Sequence, residues 1–274
     1  MKAPPLFSRF SFLSTLTLLA LARTAVFAAD APAPAAASAA PAPAASTDAA
    51  APAKPNTAII PMIQRGTDNR HASFVEIAKK GDIDVLFLGD SITDFWRTTG
   101  KAVWEKYYGN MKAANFGISA DRTQHVLWRL QNGEGQGFKP KVVVLMIGTN
   151  NTGMERGANP APRNTVPEAI EGVYADVAEL RKDFPDAKIL LLAIFPRFDS
   201  PINNPQIEEI NHALAKLSDL NHVFYLDIGD KFLNDDKSGF KPGVFGADKL
   251  HPAAPGYEIW AEAIQEPLAL LLKP

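Results

Sequence analysis

Val85-Leu86-Phe87-Leu88-Gly89-Asp90-Ser91 is an apolar run that stops abruptly at a glycine, an acid and a hydroxyl. Its four apolar residues are too few and too rich in β-formers for a helix, and they read as a fully buried strand. A serine where such a strand ends sits at the carboxyl edge of a sheet, the edge where open α/β folds hold their ligands. Taken alone, Ser91 reads first as a helix cap and only second as a nucleophile.

Four further β-rich runs follow: Ala113–Phe116, Val142–Ile147, Lys188–Ile194 and Val223–Leu226. Helical spacing fills the segments around them, at Asn69–Lys80, Arg122–Gln131, Val166–Asp183, Asn204–Leu220 and Ala254–Leu272. In Val166–Asp183 the apolar positions Ile170, Val173, Val177 and Leu180 fall on one face. Strand and helix alternate, and the strands are nearly continuous in apolar residues, as they are when both sheet faces are covered. The fold class is therefore α/β: a three-layer α/β/α sandwich around a five-stranded parallel, flavodoxin-like sheet. Loops 92–112, 152–166 and 197–205 set the width of any pocket.

The first 56 residues have a different composition. Lys2 and Arg9, the apolar segment Ser11–Ala22 and the small residues near Ala28 have the layout of a secretory signal peptide over 1–28. About twelve apolar residues are too few to span a bilayer, and no stable membrane span is expected after cleavage. Arg23 departs from the pattern, and an uncleaved anchor is the alternative. Residues 29–56 are almost only Ala and Pro and read as an extended linker without chemistry. The folded unit is 57–274, and the expected location is exported, periplasmic or extracellular. Loss of three signal-peptide cations takes the formal charge from −2 to −5, with no basic run, so nucleic acid is not an expected partner. The chain has no cysteine, which excludes disulfides and thiolate chemistry.

Polar residues gather at the strand ends. Gly89-Asp90-Ser91 follows the first strand, Gly117-Ile118-Ser119-Ala120-Asp121 the second, and Gly148-Thr149-Asn150-Asn151 the third. Phe195-Pro196-Arg197 ends the fourth, and a long loop after the fifth carries Asp248-Lys249-Leu250-His251. Ester hydrolysis by serine needs a hydroxyl, a base, an acid that orients the base, and oxyanion donors. Ser91, His251 and Asp248 supply the first three. The N–H groups of Ser91 and Gly117 and the Asn150 amide are candidate donors. Asp90, Trp96 and Arg197 are candidate substrate contacts, with turn capping, core packing and an ion pair as their structural alternatives. Trp104, Tyr107 and Tyr108 join Trp96 as candidate pocket walls. Asp227, Asp230, Asn234, Asp235 and Asp236 lack calcium-loop spacing and read as a solvated loop. No metal site is expected. His71, His125, His212 and His222 lack an acid-bearing loop and read as structural.

These blocks, in this order, resemble the SGNH (GDSL-type) hydrolase superfamily, whose four letters correspond here to Ser91, Gly117, Asn150 and His251. The likeness covers residues 69–272. Asn115-Phe116-Gly117-Ile118 and His125-Val126-Leu127-Trp128-Arg129-Leu130 also look like the catalytic subunits of platelet-activating-factor acetylhydrolase type Ib and their bacterial relatives. The resemblance implies a metal- and cofactor-independent serine esterase that removes short acyl groups, often acetyl. It makes Ser91 the nucleophile, His251 the base and Asp248 its orienting acid, with Gly117 and Asn150 completing the oxyanion hole. It leaves a homo-oligomer open. Ser119-Ala120 stands where the animal enzymes carry two glycines, and side chains there are expected to narrow the mouth. Together with the signal peptide, this favours O-acetylated carbohydrates as substrates over phospholipids. A phospholipid acetylhydrolase or lysophospholipase is the alternative, and a non-catalytic carbohydrate- or wall-binding module is the alternative of another class.

Overall fold

The computed structural model describes residues 54–155 and 161–273. The expected signal peptide and residues 29–53 of the Ala/Pro stretch lie outside the described residues. The described residues form five strands: β1 (Val85–Gly89), β2 (Ala113–Gly117), β3 (Val142–Met146), β4 (Lys188–Leu192) and β5 (Val223–Leu226). All pair in parallel, in the order β2-β1-β3-β4-β5. The order reverses at β1, so Ser91 follows the strand at the topological switch point.

Among the described residues seven α-helices surround the sheet: α1 (Asp68–Lys79), α2 (Ser91–Asp94), α3 (Lys101–Tyr108), α4 (Thr123–Arg129), α5 (Val166–Asp183), α6 (Asn203–Leu214) and α7 (Ala254–Leu271). Strand residues alternate between two cores. Leu86, Leu88, Val143 and Leu145 pack with α1, α4, α5 and α6, while Val85, Phe87, Val142 and Val144 pack with α3 and α7. Local chemistry sets the boundaries. Thr165 starts α5 with a capping box, its hydroxyl accepting the Glu168 N–H at 3.3 Å while the Glu168 carboxylate accepts the Thr165 N–H at 2.7 Å. A π-turn at Leu130–Glu134 continues α4, with Gly133 at φ +114°. It carries Glu134 back into the protein to meet Arg129.

Residues 92–112, expected as a loop, contain the end of α2, a 3₁₀ turn at Phe95–Arg97 and α3. Gly89 and Gly117 are register partners in β1 and β2. A Cβ on Gly89 would overlap the Met146 carbonyl and the Thr93 hydroxyl, and one on Gly117 would overlap the Asp94 backbone. These two glycines let α2 lie directly across the strand ends.

Candidate active site

Ser91 is the first residue of α2, and Asp90 is its cap: one Asp90 carboxylate oxygen accepts the Ile92 N–H at 2.9 Å. Capping therefore falls to Asp90 and leaves the Ser91 hydroxyl free for another partner. Ser91 Oγ lies 2.8 Å from His251 Nε2. On the far side of the ring, His251 Nδ1 lies 2.6 Å from Asp248 Oδ2. The remaining carboxylate oxygen of Asp248 accepts the backbone N–H groups of Leu250 and His251, each at 3.0 Å. Partial burial pushes the Asp248 carboxyl upward, but the hydrogen bonds from His251 and Leu250 outweigh it and hold the group below the usual carboxylate range.

The His251 loop is held from several sides. Lys249 takes a left-handed backbone, φ +55°, which brings Asp248 and His251 onto one ring of contacts. The Lys249 carbonyl accepts the Phe198 N–H at 3.0 Å, tying the loop to the segment after β4. The Phe95 ring lies 4.8 Å from the imidazole, centre to centre.

The donor side differs from expectation. The Gly117 N–H is taken by Asn115 Oδ1 at 2.8 Å, and the same Asn115 amide donates to the Thr93 carbonyl at 2.9 Å. Gly117 thus serves the close approach of β2 to α2, and its N–H is not open to a ligand. Ala120, three residues on, has φ +67°, and its N–H meets no acceptor among the described residues. The loop that holds it is clamped. The Ser119 hydroxyl donates to Asp94 Oδ2 at 2.8 Å, and the Ser119 carbonyl accepts the Gln64 amide at 3.1 Å. The Ser119 side chain is turned away, so of this pair only Ala120 lines the cleft.

Asn150 donates one amide hydrogen to the Asp121 carbonyl at 2.9 Å, which fixes the side chain at this edge. Arg163 donates to the Asn150 carbonyl at 3.0 Å. Ala120, Arg122, Asn150, Glu155 and Arg163 line a cleft of about 310 Å³, in which Arg122 grips Glu155 with two bonds of 2.7 and 2.9 Å. The neighbouring Asn151 is spent inside the protein on Thr123, Gln124 and Asn164.

Three expected substrate contacts are internal. Trp96 is buried among Phe87, Trp104, Tyr108, Tyr257 and Trp260, because α2 and its 3₁₀ turn direct it into the core. Arg197 is buried and fully engaged, donating to Thr149 at 3.0 Å and forking onto Asp199. It braces the Asn150 turn. Asp90 is only 1% exposed, and burial pushes its carboxyl up to about 7 against the opposing Ile92 N–H. In the acidic loop, Asp227 caps Gly229, Asp236 binds Ser238 and Asp230 pairs with Lys237. The roles of Asn115, Asp94 and Ser119 carry no sequence signal, since the bonds that join β2 and its following loop to α2 span more than twenty residues.

Comparison with known proteins bears on the family and the fold. The profile of the GDSL-like lipase/acylhydrolase family matches residues 87–259. Platelet-activating factor acetylhydrolase IB subunit alpha2 of Gallus gallus is 34% identical over 209 residues, covering 75% of this chain and 84% of the relative. Subunit alpha1 of Homo sapiens is 31% identical over 206 residues, covering 74% and 82%. In structure, the chain resembles a GDSL-like lipase from Bacteroides thetaiotaomicron with a TM-score of 0.58 at 18% identity, over 74% of this chain and 97% of that one. A lipase/acylhydrolase from Enterococcus faecalis gives 0.54 at 20% identity, over 70% and 98%. At these identities the structural likeness speaks to the fold.

Proposed function

The chain belongs to the GDSL-like lipase/acylhydrolase family and is a carboxylic ester hydrolase; on that premise we propose that it removes short acyl groups, of the acetyl type, through an acyl-enzyme on Ser91. The observation that carries the mechanism is the continuous relay from Ser91 Oγ to His251 at 2.8 Å and from His251 to Asp248 at 2.6 Å. Ser91 Oγ attacks the ester carbonyl carbon as His251 Nε2 takes its proton. The carbonyl electrons move onto oxygen, where the N–H groups of Ser91 and Ala120 and the free amide hydrogen of Asn150 stabilise the charge. Each such donor is worth about 10²–10³ in rate. Collapse expels the alcohol with the proton from His251. Water then attacks the acyl-serine by the reverse proton route, releasing the acid and restoring Ser91. Asp248, held ionised, keeps Nδ1 protonated and Nε2 basic.

A cleft of only about 310 Å³ on the side of the Ala120 and Asn150 donors supports a small acyl group over a long chain. The N-terminal layout favours an exported enzyme, periplasmic or extracellular, and with it esters on carbohydrates. A second reading, a platelet-activating-factor-type acetylhydrolase, is favoured by the names of the relatives. The intact relay argues against a non-catalytic binding module, which has no use for it.

The test is Ser91→Ala together with a fluorophosphonate probe. The substitution is expected to lower p-nitrophenyl acetate hydrolysis by at least ~10³-fold while the protein stays folded, and the probe is expected to label Ser91. Retained activity or an unlabelled serine would overturn the mechanism.

A further inference from the structure

Between the loop after β4 and the segment leading to His251 lies an open groove of about 660 Å³. Three half-buried phenylalanines line it. Phe240 lies flat on Phe245 with ring centres 3.7 Å apart, and Phe198 meets Phe240 edge-on at 4.9 Å. Phe245 also packs edge-on at 5.4 Å against Phe232, which is fully buried. The aromatic ladder therefore runs from the core out to an open concave surface, anchored at its inner end. Ser200, Lys241 and Lys249 add polar wall, and no carboxylate lines the groove among the described residues.

The position of the groove relates it to the reaction. Lys249 lies between Asp248 and His251, and its carbonyl holds the Phe198 N–H, so the groove wall and the base share one loop. His251 delivers its proton to the departing alcohol, so the alcohol half of the ester must lie against this loop. The cleft on the oxyanion-donor side is built from other segments, around Ala120 and Asn150.

We propose that this groove, on the esterase reading above, is the subsite for the alcohol half of the substrate and that it takes a saccharide ring. A pyranose presents an apolar C–H face to an aromatic ring and a rim of oxygens to donors. The Ser200 hydroxyl and the Lys249 ammonium are such donors, while Lys241 is already bound to the Lys231 carbonyl at 3.0 Å. A quaternary ammonium headgroup would meet two ammonium groups and no carboxylate here, which disfavours a choline ester despite the aromatic rings.

The experiment measures kcat/KM of wild type, Phe240→Ala and Lys249→Gln on acetylated xylotetraose, ethyl acetate and a short-chain acetyl phosphocholine lipid. The preference for the xylotetraose ester over ethyl acetate is expected to fall about tenfold in Phe240→Ala and about threefold in Lys249→Gln, a surface change. Calorimetry on Ser91→Ala is expected to show unesterified xylotetraose binding that Phe240→Ala removes. Unchanged preference in both variants, or a parallel loss on the phosphocholine ester alone, overturns the saccharide assignment while ester hydrolysis stands. Failure of the wild type to hydrolyse any of the three esters overturns the esterase reading and the subsite with it.

Discussion

The Ser119 hydroxyl donates to Asp94 Oδ2 at 2.8 Å, joining the loop after β2 to the helix that begins at Ser91. Asp94 is also gripped by Arg97 and contacted by Arg70 at 3.3 Å, so it is an anchored acceptor. One residue beyond Ser119, Ala120 holds a backbone conformation that favours glycine. The clamp offsets that strain and aims the Ala120 N–H. Ser119→Ala is therefore expected to lower kcat about tenfold with KM within about twofold, because an oxyanion donor acts mainly in the transition state. Ala120→Gly in the same background is expected to recover part of the loss, because glycine holds this conformation without the strain that the clamp offsets. A rise in KM alone at constant kcat would contradict the positioning role.

Asp248 holds the imidazole through its 2.6 Å contact and its own backbone N–H bonds. Asp248→Asn keeps the shape and removes the acceptor that fixes the tautomer. Steady-state kinetics are expected to show kcat reduced by about 10²–10⁴, with substrate binding largely retained. The folded-state pKa of Asp248 is depressed. Its contribution to stability is thus present above the ordinary carboxylate range and is lost only as pH falls below it. Wild type and Asp248→Asn should show denaturation midpoints that converge as pH falls below the ordinary carboxylate range. A constant offset from pH 7 to pH 2 would rule out the linkage.

How much of this was legible in sequence depends on the kind of residue. The strands were readable because β1, β3 and β4 are buried on both faces and show continuous apolar runs. Helix α5 was readable because Thr165 and Glu168 cap it and its apolar positions repeat on one face. Helix α3 was not: in Lys101–Tyr108 only Val103 and Tyr108 are buried, too little for a period to stand out. The Ser91, Asp248 and His251 grouping was legible because each residue follows a recognisable strand end or sits in a short local motif. Trp96 shows the opposite case, since composition reveals an aromatic near the nucleophile but not which side of α2 it faces. At Gly117 the glycine was visible, while the capture of its N–H by Asn115 depends on a side-chain rotamer. Arg197 was bound to its acid, Asp199, only two residues away, yet its hold on Thr149 needed the fold.

Asp176, on α5, is fully buried, and neither carboxyl oxygen has a protein partner among the described residues. Burial pushes its pKa well above the ordinary value. The folded chain therefore keeps this proton over a range in which the unfolded chain has lost it. Stability from this group is full below the unfolded pKa and declines as pH rises toward the folded one, by up to about 1.4 kcal/mol per pH unit. Asp90, pushed up to about 7, and Asp183, pushed up to about 6, act in the same direction. Asp176→Asn should leave urea stability nearly unchanged near pH 4 and raise it progressively toward pH 7. Parallel stability curves for the two proteins would refute this assignment.

Arg129 is 2% exposed and bridges two buried acids, donating to Asp121 at 2.9 Å and pairing with Glu134. His71 closes the far side of Glu134 at 2.8 Å. Removing the cation strands two carboxylates in the interior, and breaking a buried pair in this way costs about 3–5 kcal/mol. The network also reaches the site, because the backbone carbonyl of Asp121 holds the Asn150 amide. Arg129→Met should lower both denaturant stability and kcat. Arg129→Lys keeps the charge but not the fork that spans both acids, so it should restore stability only in part. The two readouts separate the effects: a ligand that stabilises the folded state, added at saturation, should recover folding in Arg129→Met but not the lost turnover. Full recovery of turnover would mean that Asp121 holds its place without Arg129, and that the network supports the fold alone.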